Sequence, residues 1–144
     1  MFSGATNLTS IDLSNIITIE NNAFYHTGLT TINASNASSI GQAVFMNCYN
    51  LTSATLPSSM TSIPNDLFRN CSNLTTITGI TNSPTSFGYG AFLDCNNLVK
   101  TFDLSNTISV GNDTFKRCRN CTFSNFSTFS QNVTSIGSGA FDEC

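Results

Sequence analysis

Residues 39–57 read Ser39-Ile40-Gly41-Gln42-Ala43-Val44-Phe45-Met46-Asn47-Cys48-Tyr49-Asn50-Leu51-Thr52-Ser53-Ala54-Thr55-Leu56-Pro57. Phe45 belongs to a column of Phe2, Phe24, Phe45, Phe68, Phe92, Phe115 and Phe141, spaced by 22, 21, 23, 24, 23 and 26 residues. From Phe24 onward, five positions before each Phe stand Ile19, Ile40, Ile63, Phe87, Val110 and Ile136. Glu20, Gly41, Pro64, Gly88, Gly111 and Gly137 follow them, and Gly or Pro suits a turn there. Three residues after the Phe come Cys48, Cys71, Cys95, Cys118 and Cys144, with Ala5 and Thr27 in the first two units. A leucine opens the next segment at Leu8, Leu29, Leu51, Leu74 and Leu98, and Cys121 takes that slot in the sixth unit. Self-similarity at a period of about 23 residues marks a stacked repeat.

The pattern assigns a shape to each piece of the unit. In Leu8-Thr9-Ser10-Ile11-Asp12-Leu13, the apolar Ile11 and Leu13 alternate with Ser10 and Asp12, which predicts a short strand with its apolar side chains inward. Phe and Cys in F-x-x-C share a face in a helical turn, so a 3₁₀ or single α turn is expected there. The unit is then strand, turn, second extended piece ending at the Ile, turn, helical turn. One such unit cannot bury its own apolar face, so the units must stack. Parallel strands about 4.8 Å apart make six coils roughly 30 Å long. The sixth unit is irregular: residues 121–129 carry Phe123, Phe126 and Phe129, and an insertion stretches the period.

These residues resemble the BspA-type leucine-rich repeat, whose unit reads approximately S-I-G-x-x-A-F-x-x-C-x-x-L-T-x-I-x-L-P. Residues 39–57 depart from it mainly by Val44 before the Phe and Ala54 at the Ile slot, and Ser135-Ile136-Gly137-Ser138-Gly139-Ala140-Phe141 matches again. The resemblance implies a repeat solenoid: a right-handed leucine-rich-repeat superhelix of about six coils, with short parallel strands and short helical turns. Residues 1–144 would form a single domain, either complete or a segment of a longer array. The resemblance also implies a surface or secreted location and adhesion to a protein or glycan of a host matrix or cell surface. It carries over no catalytic residue.

Composition narrows the chemistry. Ser, Thr and Asn make up 59 of 144 residues, while charged residues are 9% and the net charge is −3. Hydrophobic residues at 40%, with 12 Phe, argue against disorder. No apolar run reaches about 18 residues, so no membrane-inserted helix is expected, and residues 1–7 lack the flank and apolar stretch of a signal peptide. Five basic residues argue against a nucleic-acid partner. Cys118-Arg119-Asn120-Cys121 has the form of a redox or zinc motif, but the repeat places Cys118 in the thiol column and Cys121 in a leucine slot, which favours buried thiols. With His26 the single histidine, reading as an exposed turn residue, and no glycine-rich phosphate loop, neither enzymatic activity, a cofactor nor a metal is expected. Asp12 and Asp103 share a column but stand roughly 19 Å apart, too far for paired-carboxylate chemistry. Lys116, Arg117 and Arg119 read as a solvated edge, with an anionic partner as the alternative.

Two surface features remain. The motif N-x-[ST] occurs at Asn7, Asn33, Asn36, Asn50, Asn70, Asn73, Asn112, Asn120, Asn125 and Asn132, and either glycosylation or a turn-forming role for the repeated Asn-Leu-Thr explains it. The outward strand columns, Ser10, Thr31, Ser53, Thr76 and then Asp12, Asn33, Thr55, Thr78, Asp103, make a sheet of short hydroxyls, amides and carboxylates. On a rigid lattice such groups bind without an ordering cost, so this face is the expected site of a recognition module. End-to-end self-association through uncapped coils is the structural alternative. Ice binding by the Thr76-Ile77-Thr78 pattern is disfavoured, because Asp12, Asn33 and Asp103 break the lattice.

Overall fold

The computed structural model describes residues 2–80 and 83–144. In chain order its strands are β1 (Thr18–Ile19), β2 (Thr31–Asn33), β3 (Ser39–Ile40), β4 (Ser53–Thr55), β5 (Ser62–Ile63), β6 (Thr76–Thr78), β7 (Ser86–Phe87), β8 (Lys100–Asp103), β9 (Ser109–Val110), β10 (Cys121–Ser124) and β11 (Ser135–Ile136). One helix, α1 (Phe126–Asn132), lies between the last two. Each repeat gives one strand to each of two columns, and every pairing is parallel. The even-numbered strands follow the leucine slot, and the odd-numbered ones precede the Phe turn. The chain is therefore a parallel solenoid with little helix.

Phe2, Phe24, Phe45, Phe68, Phe92, Phe115 and Phe141 form one continuous stack inside the coils, with ring centroids 5.5 to 6.0 Å apart and interplanar angles of 4° to 20°. Beside it lie Leu29, Leu51, Leu74 and Leu98, all fully buried. Each stacked pair adds about 0.5–1.5 kcal/mol beyond the area it buries. Thr114 is the exception to the small apolar residue before the Phe. It fits because its hydroxyl donates to the carbonyls of Gly88 and Gly111, at 2.9 and 2.8 Å.

The Phe turn is not the helical turn expected from F-x-x-C. Backbone N–H groups at alternate positions turn outward and donate to the next coil: Ala43 to Asn65, Phe45 to Leu67 and Asn47 to Arg69 in one coil, Asp66 to Tyr89, Phe68 to Ala91 and Asn70 to Leu93 in the next. The intervening N–H groups make local bonds three residues back, as Cys48 to Phe45 and Cys71 to Phe68 do. This alternation needs a left-handed residue two positions before and two after the Phe, and both slots have φ between 51° and 65° from Phe24 onward. Asn22, Asn47, Asn70, Asp66, Asp94, Asp113, His26, Gly90 and Gly139 occupy most of them, the residue types that tolerate this region best. Ala43, Arg117 and Glu143 adopt it as well.

Both sheets are interrupted. In the second column β1–β3 is separate from β5–β7–β9–β11. Gly41, Gly88, Gly111 and Gly137 each donate an N–H to the Ile19, Ile63, Phe87 and Val110 carbonyls of the preceding coil, whereas Pro64 has no N–H to give. The ladder stops at that proline. In the first column β2–β4–β6 is separate from β8–β10. That break falls where the coil carries Gly79 at φ 90°, packed against the Leu56 carbonyl so closely that a Cβ would collide with it.

Two further expectations change. Residues 8–13 are not a strand: Leu13 is buried, and the Thr30 N–H, just before β2, donates to the Thr9 carbonyl. The irregular sixth unit contains α1, entered through Asn125 at φ 63°. Its Phe129 is buried and meets Phe141, while Phe123 lies between Phe115 and Phe141 at 4.9 and 5.1 Å.

Candidate functional site

The expected binding face is only partly one surface. Thr31, Ser53 and Thr76 are in register across β2, β4 and β6, as are Asn33, Thr55 and Thr78, so six of the nine residues share one sheet. Ser53 and Thr55 are half-buried and the other four are exposed. Thr55 and Thr78 hydroxyls bond each other at 3.1 Å. Ser10 and Asp12 are exposed on the segment that forms no strand, and Asp103 lies on the separate β8–β10 pair. There the face continues through Thr101 and Thr122, whose hydroxyls are 2.7 Å apart and which the repeat columns also contain.

The acids and amide at the strand ends have a local task. Asp12 Oδ1 accepts Ser14 N–H at 2.9 Å, Asn33 Oδ1 accepts Ser35 N–H at 3.1 Å and Asp103 Oδ1 accepts Ser105 N–H at 2.8 Å. The common D/N-x-S spelling is thus a turn that ends the strand. Asp103 also accepts Asn125 Nδ2 at 2.7 Å. These bonds hold both carboxyls below their ordinary range, chiefly the Ser14 N–H for Asp12 and the Asn125 amide for Asp103.

The thiol column is a hydrogen-bonded ladder. Cys48, Cys71, Cys95, Cys118 and Cys144 donate S–H to the carbonyls of Phe24, Phe45, Phe68, Phe92 and Phe115, each one coil back, at 2.9 to 3.1 Å. Thr27, in the same slot, donates to the Phe24 carbonyl at 3.0 Å and meets Cys48 Sγ at 3.3 Å. All six cysteines are free thiols. Burial pushes Cys48, Cys71 and Cys95 up, and Cys144 up to about 11. Contact with the Cys121 thiol, together with burial, pushes Cys118 up. These five thiols stay protonated at neutral pH, which suits donors and not nucleophiles, while the Cys118 thiol holds Cys121 below its ordinary value. Among the described residues no three His, Cys, Asp or Glu side chains form a group able to hold a metal.

A family model for the BspA-type leucine-rich repeat region matches residues 1–122 and 38–144, with six copies. The chain belongs to the BspA-type leucine-rich repeat family. Its fold is similar to a leucine-rich repeat protein from Eubacterium ventriosum ATCC 27560, with a TM-score of 0.71 at 28% identity over 90% of this chain and 35% of that one. A leucine-rich repeat protein from Bacteroides ovatus ATCC 8483 shares the fold at a TM-score of 0.63 and 22% identity, over 88% of this chain and 38% of that one. The chain thus spans little more than a third of the length of these solved structures. No curated protein matches it.

Charge in this BspA-type solenoid gathers on the Phe-turn ridge of its later coils. Arg117 pairs with Asp94 at 2.9 Å and Glu143 at 3.4 Å, Arg119 with Glu143 at 2.6 Å, and Lys116 with Asp113 and Asp142 at 3.5 and 3.3 Å. The basic cluster lies at a solvent-exposed edge, and Arg117, Arg119 and the Lys116–Asp142 pair tie one coil to another there. His26 is half-buried, its ring 5.8 Å from Tyr49 and 6.2 Å from Tyr25, and is no exposed turn residue.

The N-x-[ST] asparagines divide by what their amides do. Asn73, Asn120 and Asn132 donate Nδ2 to the Tyr49, Asn96 and Ser105 carbonyls at 2.8, 3.0 and 3.1 Å. Asn36, Asn70 and Asn125 donate to Ser14 O, Asn47 Oδ1 and Asp103 Oδ1, each at 2.7 Å. Asn33 and Asn112 use Oδ1 alone, while Asn7 and Asn50 are exposed. Among the described residues no helix is long and apolar enough to cross a membrane.

Proposed function

We propose that the chain is a non-enzymatic binding module, displayed on a cell surface or secreted, that recognises a protein or glycan through the face of β2, β4 and β6. One observation carries this reading: Thr31, Asn33, Ser53, Thr55, Thr76 and Thr78 stand in strict register on a three-stranded sheet without a charged side chain. Groups fixed by a backbone ladder bind with little loss of side-chain entropy. Membership of a family of surface repeat proteins supports the location, and a fold whose members act by binding supports the absence of catalysis. Where the chain meets a glycosylation machinery, Asn7 and Asn50 are the proposed acceptors, because both are exposed. Thr55→Lys with Thr78→Lys is expected to weaken binding to immobilised matrix proteins or epithelial cells by at least about tenfold. Unchanged binding to every such surface would exclude this face.

A second reading is end-to-end association. At the first coil Phe2, Ile11, Leu13, Ile16, Ile19 and Phe24 line an apolar cleft of about 590 Å³ on the end of the stack. Ile136 on β11 is 52% exposed at the other end. Light scattering is expected to show mass rising with concentration, and a constant monomer mass rules this reading out.

A further inference from the structure

The odd-numbered strands carry a surface that the proposed function does not use. A groove of about 850 Å³ runs across β3, β5, β7, β9 and β11, a length of about 19 Å at the usual strand spacing. It is a concavity of the size that takes small ligands or a stretch of polymer.

Its lining selects among ligand classes. No charged side chain contributes to it, so it offers nothing to phosphate, nucleic acid or an ionic peptide. Most of its floor is the face of the paired sheet β5–β7–β9–β11, which offers a peptide no free strand edge, and β3 lines it across the break at Pro64. What it presents are neutral hydrogen-bonding groups repeated from coil to coil. Asn65 Oδ1 accepts Tyr89 N–H at 2.9 Å and Asn112 Oδ1 accepts Ser138 N–H at 3.0 Å, which fixes each amide and leaves its Nδ2 unpartnered among the described residues. The Ser109 and Ser135 hydroxyls are likewise unpartnered, and Ser62 and Ser86 share a bond of 2.7 Å. Tyr89 stands on the wall, 39% exposed, with the Arg69 guanidinium over one face of its ring, 5.8 Å from the centroid, and its hydroxyl held by Arg69 Nη1 at 3.3 Å.

Free amide donors, hydroxyls of either polarity and an exposed aromatic ring, with no charge, match a carbohydrate. Its hydroxyls both give and accept hydrogen bonds, and the C–H face of a sugar ring packs on an aromatic side chain. We propose that this groove binds a neutral, linear glycan laid along the solenoid axis, at a site separate from the β2–β4–β6 face and independent of that face's ligand.

The test is affinity electrophoresis of the whole chain through gels containing amylose, a mixed-linkage β-glucan or a linear β-mannan, with heparin as the polyanion. At least one neutral polymer is expected to retard the wild type, and heparin is not. Ser86→Arg with Ser109→Arg fills the groove and is expected to weaken retardation at least about tenfold. Asn65→Asp with Asn112→Asp keeps both Oδ acceptors that the backbone needs and removes only the free donors. It is expected to weaken binding while leaving the unfolding midpoint near wild type. Thr55→Lys with Thr78→Lys is expected to bind as wild type. The proposal is overturned if no neutral polymer retards the chain, if heparin does so better, or if glycan binding follows Thr55 and Thr78 while the groove variants bind normally. That last result would leave the strand-face function standing.

Discussion

Cys71 shows what the repeat demands of a single position. The site is fully buried, and its S–H donates to the Phe45 carbonyl one coil back, which already accepts the Cys48 N–H. A thiol is small, weakly polar and able to donate. Thr27, in the same column, donates its hydroxyl within its own coil, to the Phe24 carbonyl that Cys48 also reaches. Cys71→Thr is therefore expected to be tolerated better than Cys71→Val, its isostere without the donor, by about 1 kcal/mol. Urea unfolding at constant slope reads the difference, and equal midpoints would reduce the thiol to a space-filler. The thiol column was legible in the sequence as a buried column, but its hydrogen bond was not. Spacing reports which side chains stack, whereas the second acceptor position of a turn carbonyl appears only once the turn's geometry is known. The one signal available was Thr27, a polar residue standing in a core slot. The asparagine, aspartate and glycine residues flanking each Phe by two positions were a second readable signal, for a left-handed backbone, and a helical turn was expected in their place.

At the scale of the element, the sequence period located every Phe turn and the Ile and leucine slots, because apolar stacking follows repeat spacing directly. It did not locate the sheet breaks or α1. Pro64 was legible as a turn former, yet its consequence lies in the bond it withholds from the preceding coil. Phe123, Phe126 and Phe129 had no counterparts in other repeats from which a conformation could be read. For the candidate face, the six central residues were placed correctly, and Ser10, Asp12 and Asp103 fell outside its sheet because column membership does not guarantee a ladder. The Gly slot is a stricter case. A Cβ on Gly111 would stand 2.6 Å from Tyr89 N and 2.8 Å from Gly88 C, both backbone atoms of the preceding coil. Gly111→Ala is expected to cost about 2–3 kcal/mol in chemical unfolding. Glu20 holds this slot in the first repeat, so Glu20→Ala should stay within about 0.5 kcal/mol of wild type. A neutral Gly111→Ala would mean that the coils separate more easily than their spacing implies.

Over the whole molecule, charge is spent on joining later coils. Arg119 and Arg117 hold the Glu143 carboxyl below its ordinary range, as Asn125 does for Asp103 and Ser14 for Asp12. A depressed folded pKa means that the stabilisation is complete above the unfolded value, near pH 4, and is lost as pH falls through the folded one. The melting temperature is expected to be flat from about pH 5 to 7 and to fall below about pH 4, with amide exchange protection lost first around residues 139–144. A decline that began above pH 5, or an unchanged melt at pH 3, would contradict this assignment. The exposed carboxylates also explain how a chain with so few charges keeps its coils in register where the Asn47–Asn70 amide pair gives way to ions.

The backbone-to-backbone bonds between Phe turns run one way: the Phe and the residues two before and two after it give their N–H groups to carbonyls of the coil after. The ridge therefore has a head that accepts and a tail that donates. Two copies brought together tail to tail would set N–H against N–H, so a contact that continues the ridge must be head to tail. Such a contact is heterologous and leaves the same two ends free after every addition. A solenoid of this kind has no route to a closed pair through its ends, and growth along the axis would stop only where a coil of different chemistry covers the last row of donors.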